Sequence, residues 1–157
     1  MIVEGVNQET GETYQVNSDE VDYEYIESMS IFSKTDAYIK RRIDNLEMSA
    51  DAKSLLYAFS SATIKIGEYV IKIGRKIVDY IFVILDEFRN ASFGLVFGAI
   101  AGFLVSAVPI LGFVLGPLVT PILMAFGLIG GLAEDLKDKA LERKITEING
   151  KFTPLRA

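Results

Sequence analysis

The sequence predicts an all-α fold: a long amphipathic helix, an apolar glycine-rich helical hairpin of two membrane-spanning or membrane-inserting helices, and a C-terminal amphipathic helix. Three observations predict it. Residues 90–133 carry no charged side chain, between Arg89 and Glu134. Apolar or small residues recur at alternating gaps of four and three from Phe59 to Ile84. Small residues then step four apart through the uncharged run, from Gly94 to Ser106.

Residues 1–48 read as an acidic arm followed by short helices. The first 33 residues hold Glu4, Glu9, Glu12, Asp19, Glu20, Asp22, Glu24 and Glu27 and no Lys or Arg, a charge of -8 within a chain of net charge -5. Such an arm either docks a basic protein partner or simply solvates the surface. Weak alternation around Glu9-Thr10-Gly11-Glu12 fits a small N-terminal β-hairpin or an unstructured arm. Ser18-Asp19-Glu20-Val21 reads as a helix start, with Val21, Tyr25, Ile26 and Met29 on one face. Ser33 or Thr35 caps a second short helix that turns Ile39, Ile43 and Leu46 inward. Its Lys40, Arg41 and Arg42 would touch anionic lipid, pair with the acidic arm or face water.

Residues 49–90 read as one long coiled-coil-like helix capped by Ser49. Phe59, Thr63, Ile66, Val70, Ile73, Ile77, Tyr80 and Ile84 form its apolar stripe. Lys65, Glu68, Lys72, Lys76, Asp79 and Asp86 lie on the opposite face. Ser60, Gly67 and Gly74 share another heptad position, which points to the close approach of a second helix backbone. The greasy stretch Ile77–Phe88 suits a water–lipid boundary, with Tyr80 as an interfacial anchor.

Residues 91–133 read as the hairpin. Helices over about 91–108 and 118–133 flank a tip from Pro109 to Pro117, and three of the four prolines (Pro109, Pro117, Pro121) mark the reversal. Gly94, Gly98, Gly102 and Ser106 stack along one helix edge; Gly112, Gly116 and Thr120, then Gly127 and Gly131, repeat the small-xxx-small pattern. This pattern packs the two arms together or joins copies into a homo-oligomer. Residues 134–157 form an amphipathic helix and tail, with Leu136, Ala140, Leu141, Ile145 and Ile148 as its stripe and Asn149-Gly150 as its stop.

Composition excludes several chemistries. The chain has no Cys and no His, so disulfides, thiolate ligands and the commonest general base and metal ligand are absent. No carboxylate pair, phosphate loop or nucleophile–base pair stands out. The chain therefore reads as non-enzymatic, without metal or cofactor. No uniformly basic footprint suggests nucleic acid. The first 30 residues have neither a basic n-region nor an apolar h-region, so membrane entry falls to the internal run.

Over about residues 50–133 the layout resembles, in outline, the pore-forming domains of colicins: amphipathic helices, then an uncharged hairpin. Two-span phage holins and small virion membrane proteins share these generic features, and no specific family motif is present. The expected function is that of a membrane-inserting, self-associating, pore-forming protein, with Lys65, Glu68, Lys72, Lys76 and Asp79 as the polar pore-lining face. The alternative is a non-conducting, membrane-anchored subunit of a virion, secretion or injection machine. Lys72, Arg75, Lys76 and Arg89 on one flank, and Lys137, Lys139, Arg143 and Lys144 on the other, would hold both termini in the cytoplasm. The lipid bilayer is the expected partner, with a soluble stage before insertion as a variant.

Overall fold

A computed structural model of the chain describes residues 1–7, 9–126 and 138–156. It corrects the all-α expectation. The fold is mixed: helices pack against a four-stranded antiparallel sheet of order β2-β1-β3-β4.

The N-terminal hairpin pairs β1 (Ile2–Val6) with β2 (Thr13–Asn17), from Ile2 opposite Asn17 to Val6 opposite Thr13. Asn7 builds its turn, accepting from the Glu9 and Thr10 amides at 2.8 and 3.0 Å. Three short helices follow, each started by a side-chain cap. Asp22 caps α1 (Tyr23–Ser30), Thr35 caps α2 (Asp36–Asp44) and Ser49 caps α3 (Ala50–Ser60). Ile26, Met29, Ile39, Ile43, Leu56 and Phe59 are their buried residues nearest the core.

The long helix over 49–90 does not form. α3 ends at Ser60, and a second hairpin intervenes: β3 (Ile64–Ile66) and β4 (Tyr69–Ile71), with Ile66 opposite Tyr69. The two-residue turn is Gly67-Glu68. Gly67 has φ +62° while no non-glycine residue has positive φ among the described residues, which is the II′ turn that suits twisted strands. Ile64, Ile66 and Ile71 face the core. Thr63 and Val70 of the anticipated stripe are exposed, so the four-three spacing there was coincidental. α4 (Ile73–Glu87) then starts afresh.

Over its described residues, 90–126, the uncharged segment is folded into the protein rather than laid out as a span. α5 (Phe93–Phe97) runs through a π-helical turn (Gly98–Gly102) into α6 (Phe103–Ala107). The chain reverses at Val108, not across Pro109–Pro117, and Pro109 opens α7 (Pro109–Ala125) with Pro117 and Pro121 inside it. Ser92 caps α5. Among the described residues no helix is long and apolar enough to cross a membrane. α7 has 17 residues, which span about 25 Å, against a hydrocarbon layer of about 30 Å.

What α7 does is fill the core. It packs on β1, β2, α3 and α6. Ile110, Leu111, Val114, Leu115, Val119 and Ile122 are buried, each worth about 1.5–3 kcal/mol when removed from water. β1 accommodates the helix with Val3 and Gly5; a Cβ at Gly5 would overlap the Val114 side chain. α8 (Lys139–Gly150), capped by Asp138, buries Leu141, Ile145 and Ile148, and a 3-10 turn (Thr153–Leu155) closes the described chain. Leu136 lies outside the described residues, and Ala140 is exposed.

Candidate functional site: an uncharged face and a buried clasp

The small residues anticipated as one packing stripe divide between inside and outside. Gly94 lies against the Phe126 ring, and Gly112 lies against the Val105 carbonyl so closely that a Cβ there would overlap it. Gly98 is buried in the π-helical turn. Gly102 and Gly116 instead have nothing within 4 Å of a would-be Cβ, and Ser106 and Thr120 are exposed. Gly127 and Gly131 lie outside the described residues.

The open positions are related by the hairpin. Gly112 stands opposite Val105. One turn further from the reversal on each arm come Gly116 and Gly102, so both notches sit at one level of the outward side. Phe103 (46% exposed) and Met124 (60% exposed) stand on the same two arms. No charged side chain occurs from Asn90 to Phe126, so this face is uncharged.

The two ends of the hairpin meet different elements. At the reversal end, Asn7 donates to the Phe113 carbonyl at 3.2 Å and Tyr14 stacks on Phe113 at 5.2 Å. This places the β1–β2 turn, with Glu9 and Glu12, beside that end. At the other end α8 packs on the π-helical turn, with Asn149 Nδ2 3.5 Å from the Ala99 carbonyl oxygen. α8 and its cap set Lys139, Arg143 and Lys144 against Asp138, Glu142 and Glu147, which balance, with Lys151 just beyond; Lys139 pairs with Glu142 at 3.6 Å.

The residues expected to line a pore do not share a face. Lys65, Glu68 and Lys72 are exposed on and beside the second hairpin. Lys76 and Asp79, on α4, are 5% and 2% exposed. Both hold the α1–α2 connection. Lys76 Nζ donates to the Ile31 carbonyl and lies 5.2 and 5.0 Å from the Phe32 and Tyr80 ring centres. Asp79 accepts from the Ser33 amide at 3.2 Å and from its hydroxyl at 3.0 Å. Burial lowers the Lys76 pKa; nearby Asp79 opposes the shift and Lys151 adds to it. The charges of these two groups, expected on a pore-lining face, are thus held in an internal clasp.

Sequence reasoning did not anticipate that clasp. Its one signal was spacing: Lys76 and Asp79 are three apart and flank Ile77 and Tyr80 of the apolar stripe, so neither could point fully to water. The basic cluster is also used internally. Arg42 pairs with Asp86 at 2.9 Å and lies 4.6 Å over the Phe82 ring, and Lys40 pairs with Asp36 at 3.3 Å. Among the described residues none of the eight acidic-arm carboxylates forms an ion pair. No protein-family model, curated protein or solved structure matches the chain.

Proposed function

We propose that the protein is a non-enzymatic, self-associating structural domain, and that the outward side of the α6/α7 hairpin is the surface on which two copies meet. The observation that carries this reading is the neutral face itself: Phe103 and Met124 are exposed on its two arms, and Gly102 and Gly116 leave open space there. The reading departs from the membrane-inserting pore and from the membrane-anchored subunit, both of which needed a spanning helix that the described residues do not contain.

A second copy is the occupant that the neutrality of the face favours. The face is uncharged, so it matches an equally uncharged surface. Two hairpins related by a two-fold axis present the same surface to each other. An isologous interface of this kind is closed and self-complementary. The non-enzymatic reading is supported by the commitment of Lys76 and Asp79 to the connection they clasp.

Sedimentation equilibrium on the full chain tests this. A concentration-dependent dimer is expected, with little dependence on salt because the meeting surfaces are uncharged. Phe103→Ser, Met124→Gln and Gly102→Leu should each abolish it, with the far-UV spectrum and thermal midpoint unchanged. A protein that stays monomeric at about 1 mM, a concentration that reveals even interactions of about 4 kcal/mol, would end the proposal.

A further inference from the structure

A cleft of about 510 Å³ lies between α2, the end of α3, the segment leading into β3 and the first turn of α4. Gly74 shapes it. A Cβ there would overlap the Phe59 carbonyl oxygen, so only glycine lets the end of α3 descend onto the start of α4. The Gly74 amide donates to the Ala62 carbonyl at 3.1 Å and locks that approach.

The walls are cationic. Lys40, Lys72 and Arg75 line the cleft against a single carboxylate, Asp36. The surplus of two positive charges matches a phosphate group, which carries about -1.5 to -2 near neutral pH. Arg75 is held in place before any ligand arrives: its guanidinium lies 4.0 Å over the Phe32 ring and donates to the Lys34 carbonyl at 2.8 Å. Its Nε is buried without an acceptor, 3.9 Å from Asp36 Oδ1, too far for a hydrogen bond. Among the described residues neither the Lys72 ammonium nor the Thr63 hydroxyl has a hydrogen-bond or ion-pair partner. No side chain caps α4 at Lys72.

We propose that this cleft binds a phosphate group, free or on a small phosphorylated molecule, between Lys40, Lys72, Arg75 and Thr63. Binding draws Lys40 away from Asp36 and supplies Arg75 Nε with the acceptor it lacks. The cleft's volume is that of a small-molecule site rather than of a lone ion, so a phosphate monoester fits it better than inorganic phosphate does. The site shares no residue with the α6/α7 face and stands or falls separately.

Isothermal titration of the full chain with two probes, inorganic phosphate and glycerol 3-phosphate, tests the proposal. One saturable site is expected. Lys40→Gln and Lys72→Gln should each weaken it about fivefold, as for an exposed charge pair, with the thermal midpoint in phosphate-free buffer unchanged because both side chains are exposed. Tighter binding of the monoester identifies a phosphorylated compound; equal binding identifies phosphate itself. Absence of saturable heat with either probe, or equal affinity in the Lys40→Gln/Lys72→Gln double variant, overturns the site.

Discussion

Asn7 Nδ2 donates to the Phe113 carbonyl, which stands four residues before Pro117 and so has no helical N–H to accept. A proline inside a helix is ordinarily costly because it vacates that acceptor. Here the β1–β2 turn fills the vacancy, and the same side chain also holds the Glu9 and Thr10 amides.

Asn7→Ala is therefore expected to cost about 1–2 kcal/mol in urea unfolding, the worth of one to two hydrogen bonds. Pro117→Ala restores a donor to Phe113 and should soften that loss. A double-mutant cycle between the two positions should return a coupling of about 0.5–1 kcal/mol. Simple additivity would show that the vacated carbonyl plays no part.

Two glycine-to-alanine changes should differ in sign. Gly74→Ala forces a Cβ into the Phe59 carbonyl and is expected to cost more than about 3 kcal/mol, in the range of backbone-strain and overpacking effects. Gly102→Ala meets open space at helical φ -60° and should stabilise the monomer by about 0.5–1 kcal/mol through helix propensity. Denaturation midpoints measured in parallel check the contrast.

Asp79→Ala removes the acceptor for the Ser33 amide and hydroxyl. Loss of about 1–3 kcal/mol is expected, with faster hydrogen exchange at the Ser33 amide. If that amide exchanges at the wild-type rate, the clasp does not order the α1–α2 connection.

Alkaline pH should loosen the α1–α8 contact. Tyr25 donates to the Lys151 carbonyl at 2.8 Å; burial, and then Tyr80, raise its pKa well above the usual tyrosine range. Burial, and then Asp79, raise that of Tyr80 as well. A group whose folded-state pKa is raised contributes stability that is complete below the unfolded value of about 10 and is lost as pH climbs past it. Lys76, shifted downward, works the other way, relieving its burial cost as pH rises towards about 10.4. Comparing wild type with Tyr25→Phe isolates the tyrosine: the variant's thermal midpoint should fall less steeply above about pH 10.

Local signals were legible where they are short-ranged. Thr35 and Ser49 cap the helices that their positions suggested, and the first hairpin turns where Glu9-Thr10-Gly11-Glu12 suggested. The second hairpin was hidden because Ile66, Ile73 and Ile77 happen to fall at heptad intervals, and that spacing outweighed the alternation of Ile64-Lys65-Ile66 and the glycine at 67. The uncharged run was misjudged for a deeper reason. A helix apolar on every side wants apolar surroundings, and β1, α3 and α6 supply to α7 what lipid would. Hydropathy measures that demand without identifying the supplier.

β1 leaves the ribosome before α7, yet its inner face waits for that helix more than a hundred residues downstream, as the separation of 106 between Asn7 and Phe113 records. Until α7 emerges, the nascent hairpin has no lid. When α7 does emerge, its greasiest stretch must find that sheet before it finds another chain. Such non-local closure is slow and prone to aggregation, so a bench preparation should recover best from dilute, cold refolding and worst from rapid overexpression.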